Sequence, residues 1–225
     1  MSSEPSIVVK LAWPMALGIV AGVMSRMAAG TGMGFYFAGL TLAGILIPLL
    51  IAFEKRVRDA LLVAAAIFKG VALVWLVFVF ASDVTFGQWL GAYLVLLATS
   101  FAITGITLAL RRLLGPDVSA AITITLLLAW LSCPIWSASI ASTLAFAHPL
   151  LTLNHIFINQ RIWTQQRLMY DLTALGQDVP YALPRTIAIC VVTHGAIALA
   201  TSWLAATRAR PAASVPPPSA MSPAP

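Results

Sequence analysis

Residues 133–157 run CPIWSASIASTLAFAHPLLTLNHIF, from Cys133 to Phe157, and the topology turns on whether they form one continuous span or fold back. From Ile135 to Phe157 the stretch is apolar enough for a span of its own, joined to the segment before it by a hairpin at Cys133-Pro134. Against this stand Ser137, Ser139, Ser142, Thr143, His148-Pro149 and Asn154-His155. Hydrocarbon offers such groups no hydrogen-bond partner, so each is costly there unless buried in protein. Pro149 also breaks helical continuity beside His148. The stretch is therefore expected to be a re-entrant or interfacial segment.

The rest of the chain supplies the frame around it. Of 225 residues, 60% are hydrophobic and 9% charged, with a mean hydropathy of +0.95, whereas roughly a quarter of a soluble domain is charged. A hydrocarbon core asks for about 20 apolar residues per helix. Six segments meet that: Ile7 to Ser25, Phe35 to Phe53, Ala60 to Ala81, Trp89 to Leu110, Val118 to Ser137 and Arg185 to Ala206. The fold class is an all-α polytopic transmembrane helical bundle of six spans, with seven as the alternative. One transmembrane domain is expected over residues 1–206, and residues 135–184 form its re-entrant and amphipathic extracytoplasmic part. Residues 207–225, rich in Pro, Ala and Ser, read as a disordered cytoplasmic tail. Gly30-Thr31-Gly32-Met33-Gly34 marks a turn, Gly115-Pro116-Asp117 ends one helix and starts the next, and Pro184 suits a first helical turn. The first segment reads as a span and not as a signal peptide, because Arg26 and Met27 fit a small-residue cleavage site poorly.

Basic residues orient the bundle. Lys10, then Lys55, Arg56 and Arg58, then Arg111 and Arg112, then Arg208 and Arg210 fall on one side in the six-span arrangement, which puts both termini in the cytoplasm of a plasma (inner) membrane protein. Seven spans would make Arg161, Arg167 and Arg185 cytoplasmic, a slightly better charge count, but lipid-facing polar groups are penalised more surely. The net charge of +6 is dispersed over several loops and implies no nucleic-acid surface.

Within the spans, Lys69 is the sharpest residue. It lies nine positions into the third segment, about 14 Å from the cytoplasmic boundary at 1.5 Å per residue, where insertion scales charge a central Lys about 2.5–3.5 kcal/mol. It is either a contact in a pathway, a charge partner for another subunit, or a snorkelling side chain. His194 sits at similar depth in the last span and, with Thr186, Cys190, Thr193 and Thr201, makes a polar stripe. Ser100, Thr104 and Thr107 make another, and Ser119, Thr123 and Cys133 a third. Such hydroxyls line a route or bond their own backbone and a neighbouring helix; packing is the commoner use. Cys133 and Cys190 both approach the outer boundary, which leaves a disulfide open, although two buried thiols serving as small hydrophobes are commoner. Gly18 and Gly22 form a small-xxx-small pair for close helix packing.

In the opening stretch and beyond it, His148 and His155 lack the third and fourth ligands that a metal wants; Asn154, Asp171 and Asp178 give no tight ligand pair, so no metal is assigned. A bis-histidine haem using His194 with either of them has no more support, so no cofactor is assigned. No Ser-His-Asp order, phosphate loop or carboxylate pair is present, so the chain is not read as an enzyme. From Ile162 to Leu175 the apolar residues Ile162, Trp163, Met169 and Leu172 face away from Gln165, Gln166, Arg167 and Asp171, the pattern of a short interfacial helix closed by Gly176.

In arrangement the chain resembles the membrane domain of six-helix ATP-binding-cassette exporters. Glu54-Lys55-Arg56-Val57-Arg58-Asp59 stands where that family has its coupling loop, and Ala147-His148-Pro149-Leu150-Leu151-Thr152-Leu153-Asn154 looks like its Pro-containing stretch before the last helix. The N-terminal segment is too short for the family's interfacial connecting helix, and the coupling loop is abbreviated. The resemblance implies a permease subunit of a transport complex, working as a dimer or heterodimer with a separate ATPase subunit. Glu54, Lys55, Arg56 and Arg58 would then meet that subunit, and Lys69, His194, Thr104, Thr123 and Cys190 would face a pathway or a helix interface. The competing reading is a non-catalytic structural or assembly subunit of a larger membrane complex, for which Ala/Gly-rich spans and polar stripes are equally adequate.

Overall fold

A computed structural model describes residues 7–30, 33–54, 56–157, 184 and 186–207. Among them every regular element is helical: α1 (Ile7–Ala29), α2 (Met33–Ile51), α3 (Val57–Val79), α4 (Phe86–Leu114), α5 (Pro116–Trp136), α6 (Ala138–Leu144), a 3₁₀ turn (Ala145–Ala147), α7 (Pro149–Ile156) and α8 (Ile187–Thr207). Six of these, α1 to α5 and α8, are long and apolar enough to cross a membrane. The expected interfacial helix at 162–175 and the tail beyond Thr207 lie outside the described residues.

Helix boundaries follow local chemistry. α4 opens on a capping box, in which Gln88 N–H donates to Thr85 Oγ1 at 3.2 Å and Thr85 N–H donates to Gln88 Oε1 at 2.9 Å. This satisfies two of the orphan donors at a helix start. At its far end Gly115 takes φ +84°, a conformation costly for any other residue, and Pro116 begins α5 with φ already set for a helix. α2 has no basic residue in its own last turn. Arg111 of α4 reaches across instead: its Nη1 donates to the carbonyls of Ile51 at 3.3 Å, Ala52 at 3.4 Å and Glu54. A cation thus meets the negative end of the α2 dipole.

α4 is the central helix, packed by α2, α3, α5, α7 and α8, while α1 lies along α2 and α3. Close approach is set by glycine. A Cβ on Gly70 of α3 would stand 2.5 Å from the Met15 carbonyl oxygen and 2.8 Å from Ile19 N, and one on Gly22 of α1 would meet the Val74 side chain at 2.8 Å. Gly18 faces the Ile67 carbonyl in the same seam, so the small-xxx-small pair of α1 is the α1–α3 contact. Gly105 plays the same part against Ala198 and Thr201 of α8. Short connections alternate the helix directions. Lys10, Glu54, Arg56, Arg58, Arg111 and Arg112 therefore gather at one end, the basic end, while Arg26 and Asp83 lie at the other. At that opposite end Tyr36 stacks on Phe157 with ring centroids 4.4 Å apart and meets Trp75 at 4.9 Å.

The stretch from Cys133 to Phe157 is broken, not continuous. After α5, Ser137 caps the seven-residue α6 by accepting from Ile140 N–H at 3.3 Å. The chain turns at His148, whose extended backbone (φ −79°, ψ 118°) is what a residue before proline prefers, and Pro149 starts the eight-residue α7. α7 then returns to the end it left. Phe157 lies on Tyr36 at the start of α2, and the Ile156 carbonyl accepts from Gln88 Nε2 at 3.1 Å at the start of α4. Among the described residues no seventh helix is long enough to cross; two half-length helices fold back into the bundle.

Candidate functional site

The polar groups at the turn of the fold-back do structural work. Pro134, inside α5, has no N–H to give the carbonyl four residues earlier, that of Trp130. His148 supplies the missing donor. Its Nε2 lies 2.9 Å from the Trp130 oxygen and, facing a carbonyl, must carry the proton, while its Nδ1 accepts from Leu151 N–H at 3.3 Å and caps α7. The ring is fully buried, with its centroid 4.9 Å from that of Trp130. His148 lies outside the six spanning helices, and burial pushes its imidazole from 6.5 down to about 4; the hydrogen bond to the Trp130 carbonyl opposes that fall and nearby His194 adds to it. Both nitrogens are committed, so His148 pins the fold-back to the α5 proline.

The buried hydroxyl stripes close on themselves. Thr104 Oγ1 donates to the Ser100 carbonyl at 2.7 Å, Thr107 to Ile103 at 2.8 Å and Thr123 to Ser119 at 2.8 Å, and Thr107 and Thr123 meet between α4 and α5 at 3.3 Å. Among the described residues they join helices and line no continuous polar route. Cys133 and Cys190 are both buried and free; the Cys190 thiol faces the Ala147 carbonyl at 3.5 Å and His194 Nδ1 at 3.7 Å.

Lys69 stands apart from all of these. It is the thirteenth residue of the 23-residue α3, and its side chain is exposed on the outside of the bundle in line with exposed Leu73 and Val77. The adjacent Gly70 points inward to α1. α4 separates α3 from α8, so Lys69 and His194 share no cavity. At the basic end Arg56 and Arg58 are exposed and Glu54 is half-buried. Glu54, with Lys10 and Asp59, edges a cavity of about 330 Å³ between α1, α2 and α3. Lys55 lies outside the described residues, as do Asp171 and Asp178.

A second cavity, of about 400 Å³, opens between α4, α5 and α8 under the fold-back. Its wall is largely apolar, with Ala102, Leu127 and Trp130 among its residues, and carries His194, Thr99, Thr123 and the half-buried Thr193 as polar points. His194 is 6% exposed, and its Nδ1, 2.9 Å from the Cys190 carbonyl, must be the protonated nitrogen. Nε2 is thereby left as an acceptor. Thr99 is 3% exposed and its hydroxyl bonds to nothing, unlike Thr104 and Thr107 of the same helix. The sequence pointed to Thr99 only by its place beside Ser100 in a hydroxyl stripe, and to Arg111 only as an orienting charge, since its role as a cap depends on a helix 60 residues away.

These features define a multi-pass helical membrane protein in which a proline-anchored fold-back precedes the last span. Comparison of the chain with known protein families, curated proteins and solved structures finds no match.

Proposed function

We propose that the protein is a non-catalytic subunit of a larger membrane assembly, and that a partner helix lies along the α3 face bearing Lys69. The observation that carries this is the exposure of Lys69 at mid-span. Helix extends about 18 Å to one side of it and about 15 Å to the other, more than the four-carbon stem of lysine covers in either direction. Left in lipid, the ammonium costs about 2.5–3.5 kcal/mol by insertion scales. A carboxylate at the same depth would remove that cost. Among the described residues the chain's acids, Glu54, Asp59, Asp83 and Asp117, lie outside the spans or in their first turns. The six spans of a second copy in the same orientation therefore bring no acid to that depth, and the partner is a different chain with an Asp or Glu inside a span. On this reading the basic end faces the cytoplasm. The test is recovery of the tagged chain from its native membrane in mild detergent: Lys69→Met is expected to lose a partner that the parent chain and Lys69→Arg retain. Equal recovery of all partners by Lys69→Met overturns the proposal.

A second reading makes the assembly a transporter of the ATP-binding-cassette exporter type, with this chain as its permease. The exposed charged turn at Arg56 and Arg58 favours it, since that turn offers a docking surface for a separate ATPase subunit beside Glu54. Co-purification with an ATPase chain, abolished by Arg56→Glu with Arg58→Glu and untouched by Lys69→Met, would support it.

A further inference from the structure

We propose that the cleft between α4, α5 and α8 is a binding site for a lipid-soluble alcohol or phenol, a molecule with one hydroxyl head and an apolar body. Three observations converge on it. The cavity, at about 400 Å³, falls within the range of small-molecule pockets, about 300–1,000 Å³. Its mouth opens sideways, where Leu126, Phe146 and Ile197 both line it and remain exposed on the surface of the spanning bundle. A ligand thus enters from hydrocarbon and leaves its tail there. Inside, two buried polar groups are uncommitted and differ in kind.

The Thr99 hydroxyl is buried without a partner, although a threonine in a helix can turn to its own i−4 carbonyl, as Thr104 and Thr107 do. His194 holds its proton on Nδ1 against the Cys190 carbonyl and offers Nε2 as an acceptor. A hydroxyl is the smallest neutral group that serves both, donating to His194 Nε2 while accepting from Thr99 Oγ1. A ketone or ester oxygen only accepts and would leave Nε2 unpaired. An ammonium or carboxylate would meet no opposite charge among the described residues of the cavity wall, which include neither an acid nor a Lys or Arg.

The test uses the purified full-length protein in lipid nanodiscs and a radiolabelled long-chain 4-alkylphenol. Saturable binding is expected, and the O-methyl ether of the same probe, which cannot donate, should bind at least tenfold more weakly. Thr99→Val is the informative variant. It replaces an unpaired buried hydroxyl by a methyl, so the ligand-free protein should unfold at the same or a higher temperature, while phenol affinity falls about five- to tenfold. His194→Leu should weaken the phenol but not its ether. Equal binding of phenol and ether, phenol affinity unchanged in Thr99→Val, or preference for the matching carboxylic acid each overturn the proposal.

Discussion

The contact between His148 and the Trp130 carbonyl lends itself to a double-mutant cycle, because the need for it was created by one other residue. Replacing His148 with Leu keeps an apolar group of similar bulk but leaves the Trp130 oxygen, already deprived of its helical donor by Pro134, without any partner. Leaving a buried acceptor unpaired costs about 1–3 kcal/mol. The same change removes the cap on Leu151 N–H, worth about 1 kcal/mol, so His148→Leu should destabilise by about 2–4 kcal/mol. In a Pro134→Ala background the new Ala N–H satisfies the Trp130 carbonyl within α5. His148→Leu should then cost only the cap and packing, about 1–2 kcal/mol, which leaves a coupling of roughly 1–2 kcal/mol between positions 134 and 148. Unfolding of the four proteins in one detergent, followed by tryptophan fluorescence against denaturant, measures it. His148→Asn, which retains a good N-cap side chain, separates the two losses. Costs that add to within about 0.5 kcal/mol would refute the view that the histidine stands in for the proline's missing N–H.

Other consequences are as direct. Because His148 is neutral when folded down to about pH 4 and titrates near 6.5 when unfolded, the unfolded chain binds more protons between those values. Stability should fall as pH drops from about 6.5 toward 4, by at most about 1.4 kcal/mol per pH unit from this group, and His148→Leu should flatten the profile. Gly70→Val drives a side chain into the α1 backbone at Met15 and Ile19; a loss of about 1–3 kcal/mol is expected, visible as a lower unfolding temperature, whereas Gly195→Ala, with open space around its Cβ position, should change little. Arg111→Met strips the end of α2 of its charged donor and should cost about 1.5–3 kcal/mol, with hydrogen exchange quickening first around Ile51 and Ala52. Reporter fusions after Leu114 and after Thr207 should report one side of the membrane and a fusion after Phe157 the other; Phe157 on the side of Leu114 would require a seventh crossing between Ile135 and Phe157.

Much of the bundle was legible because hydrocarbon allows few solutions. The six spans recur within a few residues of where hydropathy sets them, and the largest extension, of α4 back to Phe86 and on to Leu114, comes from the Thr85–Gln88 capping box and the Gly115 stop. The break at His148-Pro149 was readable from proline chemistry. The partner of His148 was not, since it required knowing that Trp130 and His148, 18 residues apart, meet across a turn. Thr104 and Thr123 looked alike in sequence as pathway or packing residues; each donates to its own helix, at 2.7 and 2.8 Å, while Thr123 also lines the cleft between α4, α5 and α8. Thr99 drew no notice, because an unpaired hydroxyl differs from a paired one only in its surroundings.

The sequence by itself determined that this chain is an all-helical membrane bundle, which residues cross, and that the segment before the last span is broken, since these depend on the local match of side chains to hydrocarbon and on proline's missing donor. Tertiary structure alone decided which way residues face: Lys69 outward, His194 and Thr99 into one cleft, Arg111 onto a neighbouring helix end. Five of the six long helices, all but α3, are of almost uniform hydrophobicity and carry little amphipathic signal to set their rotation. Rotation is fixed by glycine-to-backbone contacts such as Gly70 on α1 and Gly105 on α8, and those exist only once the helices are packed.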